Sequence, residues 1–308
     1  MRAEAVLIAG PTASGKSALA LRLAEALGGI VVNADSCQVY AELRIISARP
    51  SAADEAVAPH RLYGTRSAAT AASVADWLAD IVPVLVEARA AGRLPVVVGG
   101  TGLYFKALTE GLAAIPDIPA DIRRHWRQRA ALEGAGALHA ELSRRDAKMA
   151  ARLRPGDPQR LARALEVLDA TGRSLADWQA DPPAPPLLPA VNVLRLALEP
   201  ERAVLHARID QRFRTMVADG ALEEAAALAA LNLNSELPAM RAIGVRPLIA
   251  AVRGEVRLEE AIARGQAESR QYAKRQLTWM RHQMADWTRL AVDDLDESIA
   301  RVVMDLAR

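Results

Sequence analysis

The chain has 308 residues, 51% of them apolar and 25% charged, with a formal net charge of +2. That composition excludes a disordered or collagen-like chain, and its length suggests about two domains. One cysteine, Cys37, cannot form an internal disulfide, no His/Cys cluster offers a structural zinc site, and the 4% of aromatic residues favours helices on a sheet over an all-β sandwich.

The opening MRAEAVLIAGP holds too few apolar residues for a signal-peptide core, and no run approaches the ~18 residues that span a bilayer. The expectation is a soluble cytoplasmic protein with no membrane partner, and Cys37 reads as a small packing residue rather than a reactive thiol. Residues 5–9 (AVLIA) form a short apolar strand that meets the turn GPTASGKS. SALALRLAEAL follows with helical periodicity and stops at Gly28-Gly29. IVVNA, residues 30–34, reads as a buried strand ending at Asp35, residues 74–90 as a helix, and Val96–Val98 as a further buried strand ending at Gly99-Gly100. Strand alternating with helix implies a parallel sheet covered on both faces.

Past Gly111 the pattern changes. Residues 119–180 show no strand, are broken by Pro155-Gly156-Asp157-Pro158, and end in the proline-rich DPPAPPLLP of residues 181–189. VNVLRLAL, residues 191–198, returns to strand character, and everything from about residue 201 reads as helix. The expected organisation is an α/β core of residues 1–117 and 190–308 with an all-helical insertion over 118–189. Charge follows these divisions. Ile122 to Arg163 carries eleven Lys/Arg against four Asp/Glu, a net of +7, and Arg264 to Arg289 carries six against two, a net of +4. The remainder therefore sums to −9, and two basic segments on an acidic body suggest a polyanionic partner, with solvated helix faces as the bland alternative.

Residues 10–17 match G-x-x-x-x-G-K-[ST] between a strand and a helix, the context that phosphate binding requires. Gly15 permits a tight turn with N–H groups pointing inward, the helix opening there adds partial positive charge, Lys16 can reach phosphate oxygens, and the Ser17 hydroxyl can hold Mg²⁺. This loop does not name its ligand, and ATP would make the protein a kinase or ATPase. An ATPase usually places an acid at the end of a second apolar strand, yet the strand at 96–98 ends in Gly-Gly-Thr. The nearby strand-end acid is Asp35, placed on the same sheet edge as the loop, where a carboxylate could accept a proton from a nucleophile. Asp35 could instead cap the segment after it. On the residues alone, a small-molecule kinase and another transferase stand even.

Several segments together resemble the tRNA dimethylallyltransferase (tRNA isopentenyltransferase) family, bacterial type. They are GPTASGKS at 10–17, NADSCQVY at 33–40, VGGTGLYFKAL at 98–108, GDPQRLARALEV at 156–167, TGRSLADWQ at 171–179, RIDQRFRTMVADG at 208–220, RAIGVR at 241–246 and YAKRQLTWMR at 272–281. They run in the family's order over nearly the whole chain. The resemblance implies a sheet of the P-loop NTPase-like type flanked by helices, with an inserted all-helical domain gripping tRNA. It implies transfer of a dimethylallyl group from dimethylallyl diphosphate to N6 of the adenine 3′-adjacent to the tRNA anticodon (position 37), with Mg²⁺ as cofactor. Gly10, Pro11, Thr12, Ala13, Ser14, Gly15, Lys16 and Ser17 would hold the diphosphate, Ser17 the metal. Asp35 would act as general base, and Thr101 would help position the reacting groups. By the same resemblance Asp35, Ser36, Cys37, Gln38 and Thr101 touch the tRNA. So do Arg123, the run Gln159, Arg160, Leu161, Ala162 and Arg163, and the run Arg241, Ala242, Ile243, Gly244, Val245 and Arg246. The anticodon stem-loop is the expected partner of a monomeric protein, and Trp279 is read as core.

One stretch departs. Where the family commonly has Asp-Ile-Gly-Thr-Ala-Lys-Pro, this chain has Arg44-Ile45-Ile46-Ser47-Ala48-Arg49-Pro50, which puts any substrate contact of that loop in doubt. Besides the kinase, two readings stand beside the resemblance: an RNA-binding module with a vestigial loop, and a prenyl transferase acting on free AMP or ADP.

Overall fold

The structure, a computed structural model, describes residues 3–290, 299, 300 and 302–304. AVLIA forms strand β1 (Ala5–Ala9), every residue of it buried. The turn after it leads into helix α1 (Lys16–Leu27), flanked by Gly15 at φ 90° and Gly28 at φ 61°. Both are left-handed conformations that glycine reaches without the Cβ penalty, so these two residues fix where α1 begins and ends. Strand β2 (Ile30–Asn33), helix α2 (Ala52–Val57) and the two-residue strand β3 (His60–Arg61) follow. Ser73 opens helix α3 (Val74–Ala90) through a capping box with Asp76, satisfying two N–H groups that the helix itself leaves unpaired. Strand β4 (Pro95–Gly99) and helix α4 (Gly102–Glu110) complete the first stretch of the core.

The chain divides into two compact units, Met1–Thr109 with Leu187–Arg308 and Glu110–Pro186. The second is all helical among its described elements: α5 (Ala120–Arg145), α6 (Ala147–Ala150), α7 (Pro158–Thr171) and α8 (Leu175–Trp178). Gly134, at φ 78°, breaks α5 into two helical stretches. Asp157 caps α7, Pro158 stands at its first position and Gly172 closes it at φ 67°. Trp126, Leu138, Leu142, Leu161 and Leu165 fill this unit's own core, each contributing about 1.5–3 kcal/mol of burial.

In the first unit the chain continues through strand β5 (Val193–Leu198), helices α9 (Arg202–Met216), α10 (Leu222–Ala230), α11 (Val245–Val252) and α12 (Leu258–Gln283), and strand β6 (Thr288–Leu290). The six strands form one sheet in the order β3-β2-β4-β1-β5-β6, every neighbouring pair parallel. Alternation along each strand assigns side chains to two layers. Leu7, Val32 and Val97 face a core with Trp77, Phe105, Leu248 and Ile262, whereas Val6, Ile8, Val96 and Leu196 face Leu19 and Leu23 of α1. No described helix is long and apolar enough to cross a membrane.

Two strands were not expected. Reading everything past residue 201 as helix overlooks β6, and β3 also carries no signal. Both are edge strands of three and two residues, too short to show a period, and they pair because β5 and β2 offer open edges, as in Leu196 against Thr288. The strand expected over 191–198 begins at Val193, because Ala190–Asn192 form a 3₁₀ turn.

Candidate active site

The three strands β2, β4 and β1 are neighbours in the sheet and run parallel, so their carboxyl ends share one edge. β1 delivers residues 10–15 there, β2 delivers Asp35, and β4 delivers Gly100 and Thr101. Close approach at this edge requires glycine: a Cβ on Gly99 would stand 2.0 Å from the Ala34 carbonyl oxygen.

The phosphate loop is held open by left-handed conformations at Ala13 (φ 62°) and Gly15. Ser14 N–H donates to the Pro11 carbonyl at 3.2 Å, and the Lys16 ammonium donates to that same carbonyl at 3.1 Å. Ser14 is fully buried, and its hydroxyl oxygen has no hydrogen-bond partner. Burial lowers the pKa of Lys16 to about 8, with Arg212 pushing the same way and Asp35 opposing both. A half-buried ammonium beside a helix N-terminus is suited to an anion, which would raise its pKa again and hold its proton.

Asp35 sits in a local network that starts from a fully buried asparagine. Asn33 donates from Nδ2 to the carbonyls of Asp35 and Leu62, both at 3.0 Å, and accepts Asp35 N–H at 2.8 Å. The Asn33 carbonyl in turn accepts the Trp77 indole N–H at 2.8 Å. One Asp35 oxygen, Oδ1, accepts Cys37 N–H at 3.0 Å. This oxygen thus caps the segment after Asp35, the alternative role raised for it, while Oδ2 lies toward Gly100, 3.4 Å from where a Cβ there would stand. Thr101 Oγ1 accepts Ser36 N–H at 2.9 Å and donates to the Ser36 hydroxyl at 3.2 Å. Asp35, Ser36 and Thr101 are thus brought together. Cys37 joins the core margin, where burial pushes its thiol up to about 12, so it stays protonated.

A cavity opens beside the loop. Its polar lining includes Thr12, Asp35, Arg212 and Tyr272, and its apolar lining includes Ile46, Ile209, Phe213, Met216 and Ile243. The Phe213 ring is fixed between two glycines: a Cβ on Gly265 would lie 2.0 Å from it and one on Gly244 2.8 Å. Burial, then the Asp35 charge, holds Tyr272 well above the ordinary phenol range. Arg212, Tyr272 and Phe213 were not singled out from the sequence, although RIDQRFRTM and YAKRQLTW had been. The available signal was a charged or polar residue recurring on an otherwise buried helix stripe, as on α12, where Gln266 and Gln276 are buried among Ile262, Ala273 and Met280.

The departing loop divides in two. Ile46 and Ser47 line the cavity, whereas the Arg49 side chain faces away, over Gly64 and the carbonyls of Tyr40 (3.4 Å) and Ala41 (3.3 Å). Glu224 secures this loop by accepting N–H groups from Arg44, Ile45 and Ile46 at 2.7–2.8 Å. Gln38 commits its amide N–H groups to the Ser47 and Ala48 carbonyls, which places it as a loop anchor and leaves Oε1 for any other contact.

The remaining expected contact residues separate by burial. In the first unit Arg241 and Arg246 are exposed and pair with Glu236 at 3.6 and 3.2 Å. Ala242 and Val245 are buried, and Gly244 (φ 85°) starts α11. Arg241, Ile243, Arg246 and Arg275 line a second cavity. In the second unit Gln159, Arg160 and, in part, Arg163 face solvent, but Leu161 and Ala162 are core residues, so their side chains are turned from any ligand. Arg123 is half-buried, with its Nε lacking a partner.

Among the described residues no group of three or more His, Cys, Asp or Glu side chains could hold a metal ion. Ser17 is exposed in the first turn of α1. This donor set fits an ion such as Mg²⁺ that keeps its waters and takes most of its other ligands from a phosphate substrate.

Residues 38–283 match the protein family described as IPP transferase. Two curated proteins named tRNA dimethylallyltransferase, from strains of Rhodopseudomonas palustris, are similar over almost all of the chain. One is 55% identical across 98% of this chain and 94% of its own length, the other 58% identical across 93% and 88%. Among solved structures, the full-length tRNA isopentenylpyrophosphate transferase of Bacillus halodurans is 34% identical, with a TM-score of 0.70 over 99% of this chain and 96% of its own. A eukaryotic dimethylallyltransferase described as acting on tRNA is 24% identical and shares the fold, with a TM-score of 0.77 over 95% of this chain and 74% of its own.

Proposed function

The chain belongs to the IPP transferase family and transfers a dimethylallyl group to tRNA, and from that premise we propose that the donor is dimethylallyl diphosphate held by residues 10–17, and that the acceptor is N6 of the adenine 3′-adjacent to the anticodon (position 37), with Asp35 as its base. The observation that carries this reading is the meeting of an anion-binding loop, a carboxylate and a partly apolar cavity at one sheet edge.

The diphosphate would lie over the α1 N-terminus, its charge met by backbone N–H groups and Lys16, with Arg212 as a second cation across the cavity. The five-carbon group would occupy the apolar lining of Ile46, Ile209, Phe213 and Met216. The adenine must leave its stack to reach Asp35. The N6 lone pair then attacks the allylic C1, the C1–O bond breaks with its electron pair going to the diphosphate, and the N6 proton passes to Asp35. Thr101 would orient this step through its two hydrogen bonds to Ser36. Bound on the Ser17 hydroxyl and completed by phosphate oxygens and water, Mg²⁺ would neutralise charge on the leaving diphosphate.

Gln159, Arg160 and Arg163 with Arg123 on the helical unit, and Arg241 and Arg246 on the first, would hold the anticodon stem-loop. We further propose that the protein acts as a monomer, in the cytoplasm. The test is a transfer assay with radiolabelled dimethylallyl diphosphate, Mg²⁺ and unmodified tRNA, with ATP omitted. Label on the adenine beside the anticodon is the expected result. ATP hydrolysis or phosphorylation of a small molecule in its place would overturn it, and equal activity on free AMP would remove the polymeric acceptor.

A further inference from the structure

Gln276 lies on the buried stripe of α12 and is 6% exposed. Its Oε1 accepts the Thr12 backbone N–H at 2.9 Å, and its Nε2 donates to the Gly100 carbonyl at 3.0 Å. The amide orientation is fixed by its partners, since an N–H can only donate and a carbonyl can only accept. A Cβ on Gly100 would stand 2.0 Å from Nε2, so glycine at that position is what admits the amide. One turn further along α12, the Trp279 indole covers Gly102, where a Cβ would meet Nε1 at 2.1 Å. Helix α12 therefore grips the segment around Thr101 at two glycines, and through Gln276 it also grips the phosphate loop.

We propose that Gln276 is a positioning residue of the transfer reaction, its single amide fixing the distance between the loop that holds the diphosphate and the Gly100–Thr101 segment beside Asp35. This rests on the proposed places of the diphosphate and of the base. The two reacting groups are held by loops from different strands, and a misplacement of about 1 Å between reactants costs on the order of 10²-fold in rate. A neutral amide suits the task because it donates and accepts at once. Methionine can do neither, and a glutamate does both only while protonated.

The test compares single-turnover transfer by the wild type, Gln276→Met and Gln276→Glu across pH, each variant expressed as a ratio to wild type at the same pH. Gln276→Met should lose about 10²-fold at every pH, with tRNA affinity unchanged. Gln276→Glu should match that loss at alkaline pH and recover at least about tenfold toward pH 5.5, because burial raises a carboxyl pKa and protonation restores the donor. A Gln276→Glu ratio that is flat with pH, a Gln276→Met variant at the wild-type rate, or a loss of rate that only follows a fall in Tm and in tRNA affinity would each overturn the proposal. Pyrophosphate binding to Lys16→Ala separates the two levels. If Lys16→Ala binds pyrophosphate as tightly as wild type, the diphosphate assignment itself fails. If binding is lost there and the Gln276→Glu ratio is flat, the Gln276 role alone fails.

Discussion

Lys16 and Arg160 are both cations that this reading assigns to phosphate, and the two units treat them in opposite ways. Lys16 is half-buried against the Pro11 carbonyl, and its pKa is drawn down to about 8 by burial. It feels Asp35 and Arg212, residues placed there by β2 and α9. Arg160 is exposed on α7 and pairs with Asp157, three residues away, at 3.4 Å. Its neighbours repeat the pattern, as in Arg129 with Glu133 at 2.6 Å and Arg144 with Glu141 at 2.7 Å. Exposed pairs of this kind contribute about 0–1 kcal/mol each and weaken with salt. On the proposed roles, single groups in fixed geometry would carry the chemistry in the sheet unit, whereas in the helical unit many interchangeable charges would make a field. Substitutions should therefore be sharp in one unit and graded in the other.

The largest effect is expected at Asp35. Asp35→Ala should lower single-turnover transfer by about 10²–10⁴-fold while tRNA binding persists in a gel-shift assay; turnover at the wild-type rate would remove Asp35 from the base role. Lys16 comes next, through pH. As pH rises through about 8 the free protein loses the Lys16 proton, so kcat/KM for the donor should fall tenfold per unit beyond that point. Stability moves the other way. A lysine pKa depressed on folding means that the unfolded chain binds more protons between about 8 and 10.5, so this group makes the fold more stable as pH rises through that window. Lys16→Met should abolish the alkaline limb and weaken pyrophosphate binding, read by calorimetry, by about 10- to 100-fold.

A smaller effect should come from the cavity wall. Gly265→Ala drives a Cβ to within 2.0 Å of the Phe213 ring, an overpacking that costs about 1–3 kcal/mol and should appear as a lowered Tm with a raised donor KM. An unchanged Tm would show that the ring can move aside and that the wall is soft. The smallest is Arg160→Ala. It should leave donor KM and Tm unchanged and reduce the salt slope of tRNA affinity, log K against log salt, by about one. An affinity for tRNA that does not respond to salt would erase the distinction between the two units.

Much of the fold was legible in the residues. Three short, mostly apolar runs at 5–9, 30–34 and 96–98 read as buried strands, and their alternation with helices implied the parallel sheet that forms. The loop at 10–17 and Asp35 followed from where such strands end. The change from sheet to helix past Gly111 was visible as a loss of strand runs and a gain of arginine. Asymmetry within the contact segments was not: Leu161 and Ala162 stand between Arg160 and Arg163 in the chain, yet they are fully or almost fully buried.

Local pattern determined what depends on neighbours within a few residues: strand and helix identity, the glycine-bounded phosphate loop, the acid at the end of β2. Tertiary structure alone decided what depends on residues far apart. The Gln276 amide meets Thr12 across 264 positions, and Glu224 secures the N–H groups of Arg44 to Ile46 across 178 to 180. β6 exists because β5 has an open edge, and Arg212, Phe213 and Tyr272 line one cavity because α9 and α12 are brought beside the loop. Such pairings leave no period in the sequence, since each partner satisfies its local helix or strand equally well without the other, and only the closed core fixes which two meet.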